Sequence, residues 1–305
     1  MTAGEGLAAT HRPATSVARA TAFAVASACC FGSVIILTAL AKRAGGTLLT
    51  VLAWRYLLAA VLLVAASGGV RAVRLPRRRA LTLLAAGGGG QALLAYLSLT
   101  ALDYIPAATV SFLFYTYPSW VAAFAVLRGS ERVDRARVAA LALSLLGILL
   151  MVGSPWAGAL HPVGIALALS AAVVYALLIP TLGRLQVGVG PAVVSAYVAA
   201  GAGVVFLAGG LATGELTLAL TPEAWGATVA LAVFCTALAF ILFLRALAVL
   251  GPVRTAIIST VEPFWTSLLA VAVLGQPLRA ATVLGGVLIA SAVALLQLRP
   301  GMTRG

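Results

Sequence analysis

The chain has 305 residues, of which 63% are hydrophobic and only 9% are charged. Soluble domains carry about 25% charged residues, so this composition excludes a soluble protein and predicts an integral membrane protein in contact with lipid. The net charge of +13 would suggest nucleic acid as the partner of a soluble protein. Here we attribute the charge to loops beside a membrane and predict no nucleic-acid partner.

The apolar residues are concentrated in ten long segments. A membrane-spanning helix needs about 20 mostly apolar residues, and segments this long and evenly apolar do not suit barrel strands, so we predict an all-α helix bundle. The segments are 20–41, 47–66, 80–102, 106–127, 138–152, 162–182, 191–211, 225–250, 252–274 and 281–298. The first is too long for a cleavable signal peptide and is expected to be a permanent span. Residues 1–19 and 299–305 are expected to be tails.

One stretch of the chain occurs twice. Residues 99–126 and 244–271 align without a gap at a constant offset of 145, which places Pro118 on Pro263 and Trp120 on Trp265. Such an internal repeat defines the architecture. It predicts two five-helix repeats, 20–153 and 162–298. Because five is an odd number, the second repeat is inverted in the membrane, as in many secondary transporters that bind substrate between their halves.

The basic residues predict the orientation of the chain. If the N-terminus is cytoplasmic, fifteen arginines lie at cytoplasmic loops, span ends and tails, against Lys42, Arg43 and Arg279 on the other side. Lys and Arg accumulate in cytoplasmic loops. We therefore predict a multi-pass protein of the cell (cytoplasmic) membrane with both termini in the cytoplasm.

Several short motifs resemble those of a known family. They are Ala53-Trp54-Arg55-Tyr56, Tyr104-Ile105-Pro106-Ala107-Ala108, Gly129-Ser130-Glu131-Arg132 and Glu262-Pro263. Over about residues 20–298 the chain resembles the ten-helix EamA type of the drug/metabolite transporter superfamily. Gln276, in Gly275-Gln276-Pro277, departs from the Glu often found there. The resemblance implies export or exchange of small metabolites such as amino acids.

Three ionisable residues lie inside the apolar segments, where charges are costly and often functional. Arg55 is either a bidentate site for a substrate carboxylate or a structural partner of carbonyls or of Glu262. Arg245 lies near the end of its segment and can extend its guanidinium to the interface. Glu262 either takes up and releases protons during transport or pairs permanently with Arg55 or Arg245. Of these two roles, we predict the pair.

Glu262 also belongs to a polar stripe. Thr255, Ser259, Glu262 and Thr266 follow helical spacing and share one face, which is expected either to line a cavity or to make hydrogen bonds between helices. Pro118 and Pro263 remove backbone donors, so each is expected to kink its helix, with or without a role in gating.

The remaining candidates for substrate binding are mid-segment polar and aromatic residues. Gln91 and Thr236 are equivalent under the offset of 145 and are expected on two walls of one central site. The aromatic candidates are Tyr96, Tyr115, Tyr117, Trp120, Tyr175 and Trp265, although aromatics near helix ends are commonly interface anchors. The run of glycines from Gly87 to Gly90 is expected to serve close helix packing.

These features predict a secondary transporter for a small-molecule substrate, working by alternating access around a midplane cavity. We expect no cofactor and no metal, because Cys29, Cys30 and Cys235 lack metal-ligand spacing. An enzyme is not expected, since the two histidines, His11 and His161, lie outside the spans. The alternatives are an intramembrane enzyme that modifies lipid and a membrane scaffold that does not transport.

Overall fold

The computed structural model describes residues 14–101, 103–105, 107–129, 134–152, 161–275 and 280–298. Within these ranges all ten predicted segments are helical, and eight helices are long and apolar enough to cross a membrane, with Ala280–Leu296 as a shorter apolar helix. The helices are α1 Ala14–Arg43, α2 Leu48–Ala66, α3 Arg77–Ala85, α4 Leu93–Ala101, α5 Ala107–Phe114, α6 Tyr117–Leu127, α7 Arg135–Val152, α8 Pro162–Leu185, α9 Pro191–Ala212, α10 Pro222–Ala232, α11 Ala239–Ile258, α12 Val261–Leu274 and α13 Ala280–Leu298. The predicted all-α membrane fold is confirmed.

Parts of the sequence-based predictions fall outside the described residues. These parts are residues 1–13 and 299–305 of the tails, Pro106, Ser130-Glu131-Arg132 and Gln276-Pro277. The described part of the N-terminal tail, residues 14–19, is helical and belongs to α1.

Two π-helical segments interrupt the helices at equivalent places. The first is Ala86–Ala92, between α3 and α4, and the second is Val233–Leu238, between α10 and α11. Adding the offset of 145 to the first gives 231–237, which overlaps the second. π-helical turns are rare and often occur at functional sites. The repeat therefore extends to backbone irregularities, and it places Gln91 and Thr236 in equivalent irregular turns.

Glycine permits close packing of the first π segment against α9. A Cβ atom added to Gly87 would lie 2.1 Å from the carbonyl oxygen of Val198, and one added to Gly201 would lie 2.2 Å from that of Leu84. These distances are far below van der Waals contact, so only glycine fits. The glycine run thus has the packing role that was predicted.

Pro118 and Pro263, at equivalent places in the two repeats, each follow a short interruption of the helix. Pro118 lies in the first turn of α6 and Pro263 in the first turn of α12, after interruptions at 115–116 and 259–260. Proline lacks an N–H and clashes with the carbonyl four residues earlier. Those carbonyls belong to Phe114 and Ser259, where the preceding helices end. The predicted kinks are therefore interruptions of the helix.

A glycine turn separates predicted segments eight and nine. Gly251, inside α11, has a φ of 75°, and Pro252 follows it. This left-handed conformation favours glycine, and the proline suits the start of a new helix. The boundary predicted between residues 250 and 252 is confirmed.

Equivalent helices join the two halves. In each half the second helix contacts its counterpart, α2 against α9, and the fifth does the same, α7 against α13. Where α7 meets α13, a Cβ on Gly147 would lie 2.7 Å from the carbonyl oxygen of Gly285. Small residues that let helix backbones approach closely are typical of membrane bundles. These contacts leave space for a cavity between the halves.

Loop contacts define the two ends of the bundle. Arg79, next to the arginine-rich turn 71–78, donates to the carbonyl of Leu185 at 2.9 Å. We call this the basic end. At the opposite end, the Thr50 hydroxyl donates to the carbonyl of Glu215 at 2.7 Å. The loops therefore alternate between ends in the order expected for a multi-pass chain.

Candidate substrate-binding site

A cavity of about 570 Å³ lies between the two halves of the bundle. The aromatic residues in its wall are Phe31, Tyr56, Phe114, Tyr115, Tyr175, Phe240 and Phe243, and the polar ones are Thr38, Lys42, Arg55, Gln91, Ser98, Ser111, Ser195 and Glu262. A mostly apolar wall with a few polar groups is typical of sites for small organic molecules. Lys42 lies at the opposite end, Arg55 lies in the middle of α2, and Glu262 lies in the first turn of α12, so the cavity extends from that end into the bundle.

Arg55 is held in the wall by the second π segment. Its Nε donates to the Thr236 hydroxyl oxygen at 2.7 Å, and its Nη2 donates to the carbonyl of Cys235 at 3.2 Å. The guanidinium also lies 5.0 Å from the ring centroid of Tyr56. Its remaining terminal nitrogen, Nη1, makes no hydrogen bond with a described residue. The side chain is therefore fixed in place with both N–H donors of Nη1 available to a ligand.

The next residue on α2 contacts the other π segment. The Gln91 side-chain nitrogen donates to the hydroxyl of Tyr56 at 3.2 Å. Because Gln91 and Thr236 are equivalent in the repeat, the adjacent residues Arg55 and Tyr56 contact equivalent positions of the two halves. Gln91 lines the cavity, whereas Thr236 is fully buried behind Arg55. Of the two residues predicted to line the central site, Gln91 therefore does so directly. Thr236 contributes only by holding Arg55 in the wall.

Glu262 faces the same cavity from the start of α12. The hydroxyl of Tyr115 is a hydrogen-bond partner of its carboxylate. The first backbone N–H groups of a helix have no intrahelical acceptor and carry partial positive charge. The positive charge of Arg55 also acts on this carboxylate, although the two groups form no direct ion pair.

The predicted pair between Glu262 and an arginine does not form. Among the described residues, neither Arg55 nor Arg245 makes an ion pair with this carboxylate. Arg55 instead bonds to the second π segment. Arg245 is exposed and lies 5.9 Å from the ring centroid of Phe23. The prediction of a fixed pair is wrong for this conformation, because the α2 guanidinium has a nearer set of acceptors.

The polar stripe on predicted segment nine contributes only one residue to the cavity wall. The hydroxyls of Thr255 and Ser259 donate to carbonyls of their own helix, at 2.8 and 2.9 Å. The Thr266 hydroxyl donates to the carbonyl of Gly32 on α1, at 2.8 Å. Glu262 alone lines the cavity. The stripe thus mainly satisfies hydrogen bonds within and between helices.

Four aromatic rings pack together beside the cavity. Tyr117 packs edge-on against Tyr175, with centroids 4.7 Å apart, and Phe114 stacks on Tyr175 at 5.8 Å. Tyr115 lies 5.4 Å from Phe114. Tyr117 is 1% exposed, and its hydroxyl donates to the carbonyl of Ala256 at 3.3 Å.

Three predicted aromatic candidates lie away from the cavity. Tyr96 on α4 is 63% exposed, and Trp120 on α6 is 37% exposed. Trp265 donates through its indole nitrogen to the Ser33 hydroxyl on α1, at 3.1 Å. The first two face outward from the bundle, and the third joins two helices. The structure gives none of them a place in the wall.

Other wall residues carried no distinguishing signal in the sequence. Ser195 is fully buried, and its hydroxyl has no partner among the described residues. The hydroxyl of Thr38 is likewise unpaired. Both are single hydroxyl residues within apolar helices, and only the packing reveals where they face. Within the described ranges, no group of His, Cys, Asp and Glu side chains is arranged to hold a metal ion.

A helix bundle of two repeats around an internal cavity is the architecture of a membrane transporter. The sequence model of the EamA-like transporter family matches residues 18–153 and again residues 162–298. The chain therefore belongs to the EamA-like transporter family, within the drug/metabolite transporter superfamily, and it is a multi-pass membrane protein.

Solved structures share the fold. One, titled "Crystal structure of protein", superposes with a TM-score of 0.77 at 20% sequence identity, covering 92% of this chain and 97% of the other. No curated protein matches the sequence. At this identity, the structural similarity supports the fold alone.

Proposed function

We propose that the chain is a secondary transporter of zwitterionic, amphipathic metabolites such as amino acids with bulky apolar side chains. The observation that supports this proposal is the presence of two opposite charges in one aromatic cavity, without an ion pair between them. Arg55 offers a guanidinium donor, and Glu262 offers a carboxylate that no arginine neutralises. A carboxylate of the substrate would bind Arg55, and an ammonium group would bind Glu262.

The aromatic wall would bind the apolar part of the substrate. Tyr56, Phe114, Phe240 and Phe243 line the cavity beside the charged residues. Burying apolar surface contributes roughly 25 cal/mol per Å². Aromatic rings also favour contact with other rings. Large apolar side chains should therefore bind better than small ones.

Alternating access follows from the symmetric breaks. The interruptions before Pro118 and Pro263 occur at equivalent places in halves that run in opposite directions. Exchange of conformations between the halves would close the cavity at one end and open it at the other. The aromatic cluster of Phe114, Tyr115, Tyr117 and Tyr175 is the barrier that would have to open.

Glu262 gives the transporter a means of coupling to protons. A substrate ammonium group and a proton would compete for the same carboxylate, so release of one allows the other to bind. This competition would exchange protons for substrate across the cell membrane, with both termini in the cytoplasm. It replaces the fixed ion pair that was predicted from the sequence.

Transport by purified protein in proteoliposomes tests the proposal. The panel is radiolabelled phenylalanine, phenylethylamine, which lacks the carboxylate, and 3-phenylpropionate, which lacks the amine. We expect counterflow of phenylalanine and at least about tenfold less of either analogue, because each loses a charged hydrogen bond. Protein-free liposomes are the control. Equal counterflow of all three compounds would contradict recognition of a zwitterion, and no counterflow of any would favour an enzyme or a scaffold.

A further inference from the structure

A second cavity, of about 700 Å³, opens at the basic end of the bundle. It lies between α6, the end of α8 with the turn that follows, and α11. We call it the basic vestibule and define it by Arg128, Arg184 and Gln186, together with the apolar residues Val121, Phe124 and Leu247. Its wall and that of the central cavity have no residue in common.

The polar side chains of the basic vestibule are two exposed guanidinium groups and one buried amide. The guanidinium groups of Arg128 and Arg184 form no ion pair or hydrogen bond with a described residue. Gln186 is only 7% exposed, and its side-chain nitrogen has no partner among the described residues. None of the described residues in this wall is acidic. A ligand that supplies acceptors and negative charge would satisfy all three.

Stabilisation of helix C-termini does not explain why these three donors lie together. Basic residues often stabilise the free carbonyls at helix C-termini. At the end of α8, however, Arg79 already donates to the carbonyls of Leu185 and Val187. That leaves Arg184 free of this task. Stabilisation of helix ends also does not explain why the amide nitrogen of Gln186 is buried without a partner among the described residues.

We propose that the basic vestibule is an anion-binding site for a small carboxylate or phosphate ester with an apolar body. Arg128, Arg184 and Gln186 would bind the anionic group. Phe124 and Leu247 would contact the apolar part. The site is distinct from the central cavity, and its existence does not depend on which molecule is transported.

Equilibrium dialysis with radiolabelled benzoate tests this site in protein held in phosphatidylcholine nanodiscs. We expect benzoate to bind, and uncharged benzamide, which has the same shape, to bind at least about tenfold more weakly. Arg128→Gln and Arg184→Gln should each weaken benzoate binding by a similar factor. Gln186→Leu should weaken it without changing the net charge. Arg135→Gln, which removes an exposed charge outside the vestibule, should leave it unchanged.

Benzoate that enters the central cavity is measured separately. Binding that persists in the Arg128→Gln/Arg184→Gln double variant belongs to the central cavity, and the difference from the wild type belongs to the vestibule. Unchanged binding in the double variant, or equal binding of benzamide, would overturn the proposal. Thermal unfolding of each variant establishes that it is folded.

A second lipid composition distinguishes the sources of the anion. If phosphatidylglycerol in the nanodiscs abolishes the vestibule's share of benzoate binding, the natural occupant is a lipid phosphate. If that share is retained, the occupant is a soluble anion. Both results support the anion site, and each identifies one source.

Discussion

Arg55 on α2 and Thr236 in the second π segment are joined by a hydrogen bond of 2.7 Å, from Nε to the hydroxyl oxygen. The contact connects the first half of the chain to the second. Tyr56, the next residue, contacts Gln91 in the first π segment. One turn of α2 is therefore tied to equivalent positions in both halves. Any motion of the halves against each other changes the surroundings of Arg55, which faces the cavity.

Removing the acceptor of Arg55 should destabilise the protein. Thr236→Val keeps the shape of the side chain but leaves a buried guanidinium nitrogen without its partner, which costs about 1–3 kcal/mol. Thr228→Val is the matched control. Thr228 is also fully buried in the same span, but its hydroxyl donates only to the carbonyl of Ala224. Thermal unfolding in detergent should show a clearly larger loss for Thr236→Val. Equal losses would contradict a special role of this contact.

The shape of the Arg55 side chain should matter for transport. Arg55→Lys keeps the positive charge, but an ammonium cannot bind Thr236, the Cys235 carbonyl and a substrate together with the geometry of a guanidinium. We expect phenylalanine counterflow to fall by about tenfold or more, while protein abundance falls much less. Normal counterflow by Arg55→Lys would show that a simple positive charge suffices.

Gly87 and Gly89 provide a test of the close packing between α9 and the first π segment. Gly87→Ala places a Cβ 2.1 Å from the carbonyl oxygen of Val198, whereas a Cβ on Gly89 meets nothing within 4 Å. Overpacking of this kind typically costs about 1–3 kcal/mol. Gly87→Ala should therefore lower the unfolding temperature, and Gly89→Ala should keep or raise it. The packing of α9 on the first π segment would be in doubt if both variants behaved alike.

The orientation of the chain can be read by cysteine labelling. In a variant with Cys29, Cys30 and Cys235 replaced by alanine, a cysteine at Pro76 should be protected from an impermeant thiol reagent applied to intact cells. A cysteine at Thr213 should react. The reason is the concentration of arginines around Pro76, which favours the cytoplasm. The reverse pattern would invert the proposed orientation.

The sequence predicted the spans and the repeat because both depend on local patterns. Runs of apolar residues mark the helices, and Pro118 and Pro263 mark equivalent places. The breaks themselves follow from proline chemistry, which frees a backbone carbonyl one turn before each proline. The boundary at Gly251 also rests on local chemistry, since glycine and proline end and begin helices.

The site was only partly predictable, because side-chain partners depend on which helices meet. Arg55 and Glu262 were found since charges are rare in membrane helices. The absence of an ion pair between them was not predicted, because the acceptors of Arg55 come from Thr236 and Cys235, nearly two hundred residues away in sequence. Tyr96 and Tyr115 look alike in sequence, yet one is exposed and the other is buried at the cavity. The difference depends on which face of its helix each tyrosine occupies. A span that is apolar on all sides gives little indication of which face is buried.

The last prediction concerns Glu262. We propose that this residue couples transport to protons instead of forming a fixed ion pair. Since no described arginine forms an ion pair with this carboxylate, Glu262→Gln breaks no direct salt bridge, and the amide can still accept a hydrogen bond from Tyr115. We therefore expect the variant to fold at nearly wild-type abundance. Its phenylalanine counterflow should fall by about tenfold, because the substrate ammonium group loses its charged partner, and the remaining counterflow reports binding by Arg55 and the aromatic wall.

Proton-driven accumulation should be lost in the same variant. An amide cannot release and rebind a proton, so an imposed pH gradient should drive uptake by the wild type and have little effect on Glu262→Gln. Glu223→Gln is the matched control, since Glu223 is exposed in the first turn of α10 and should retain the response. The measurement is phenylalanine accumulation in proteoliposomes with and without a pH gradient. A Glu262→Gln protein that fails to fold, and that regains abundance when the charges of Glu262 and Arg55 are exchanged, would restore the ion pair and remove the carboxylate from the coupling mechanism.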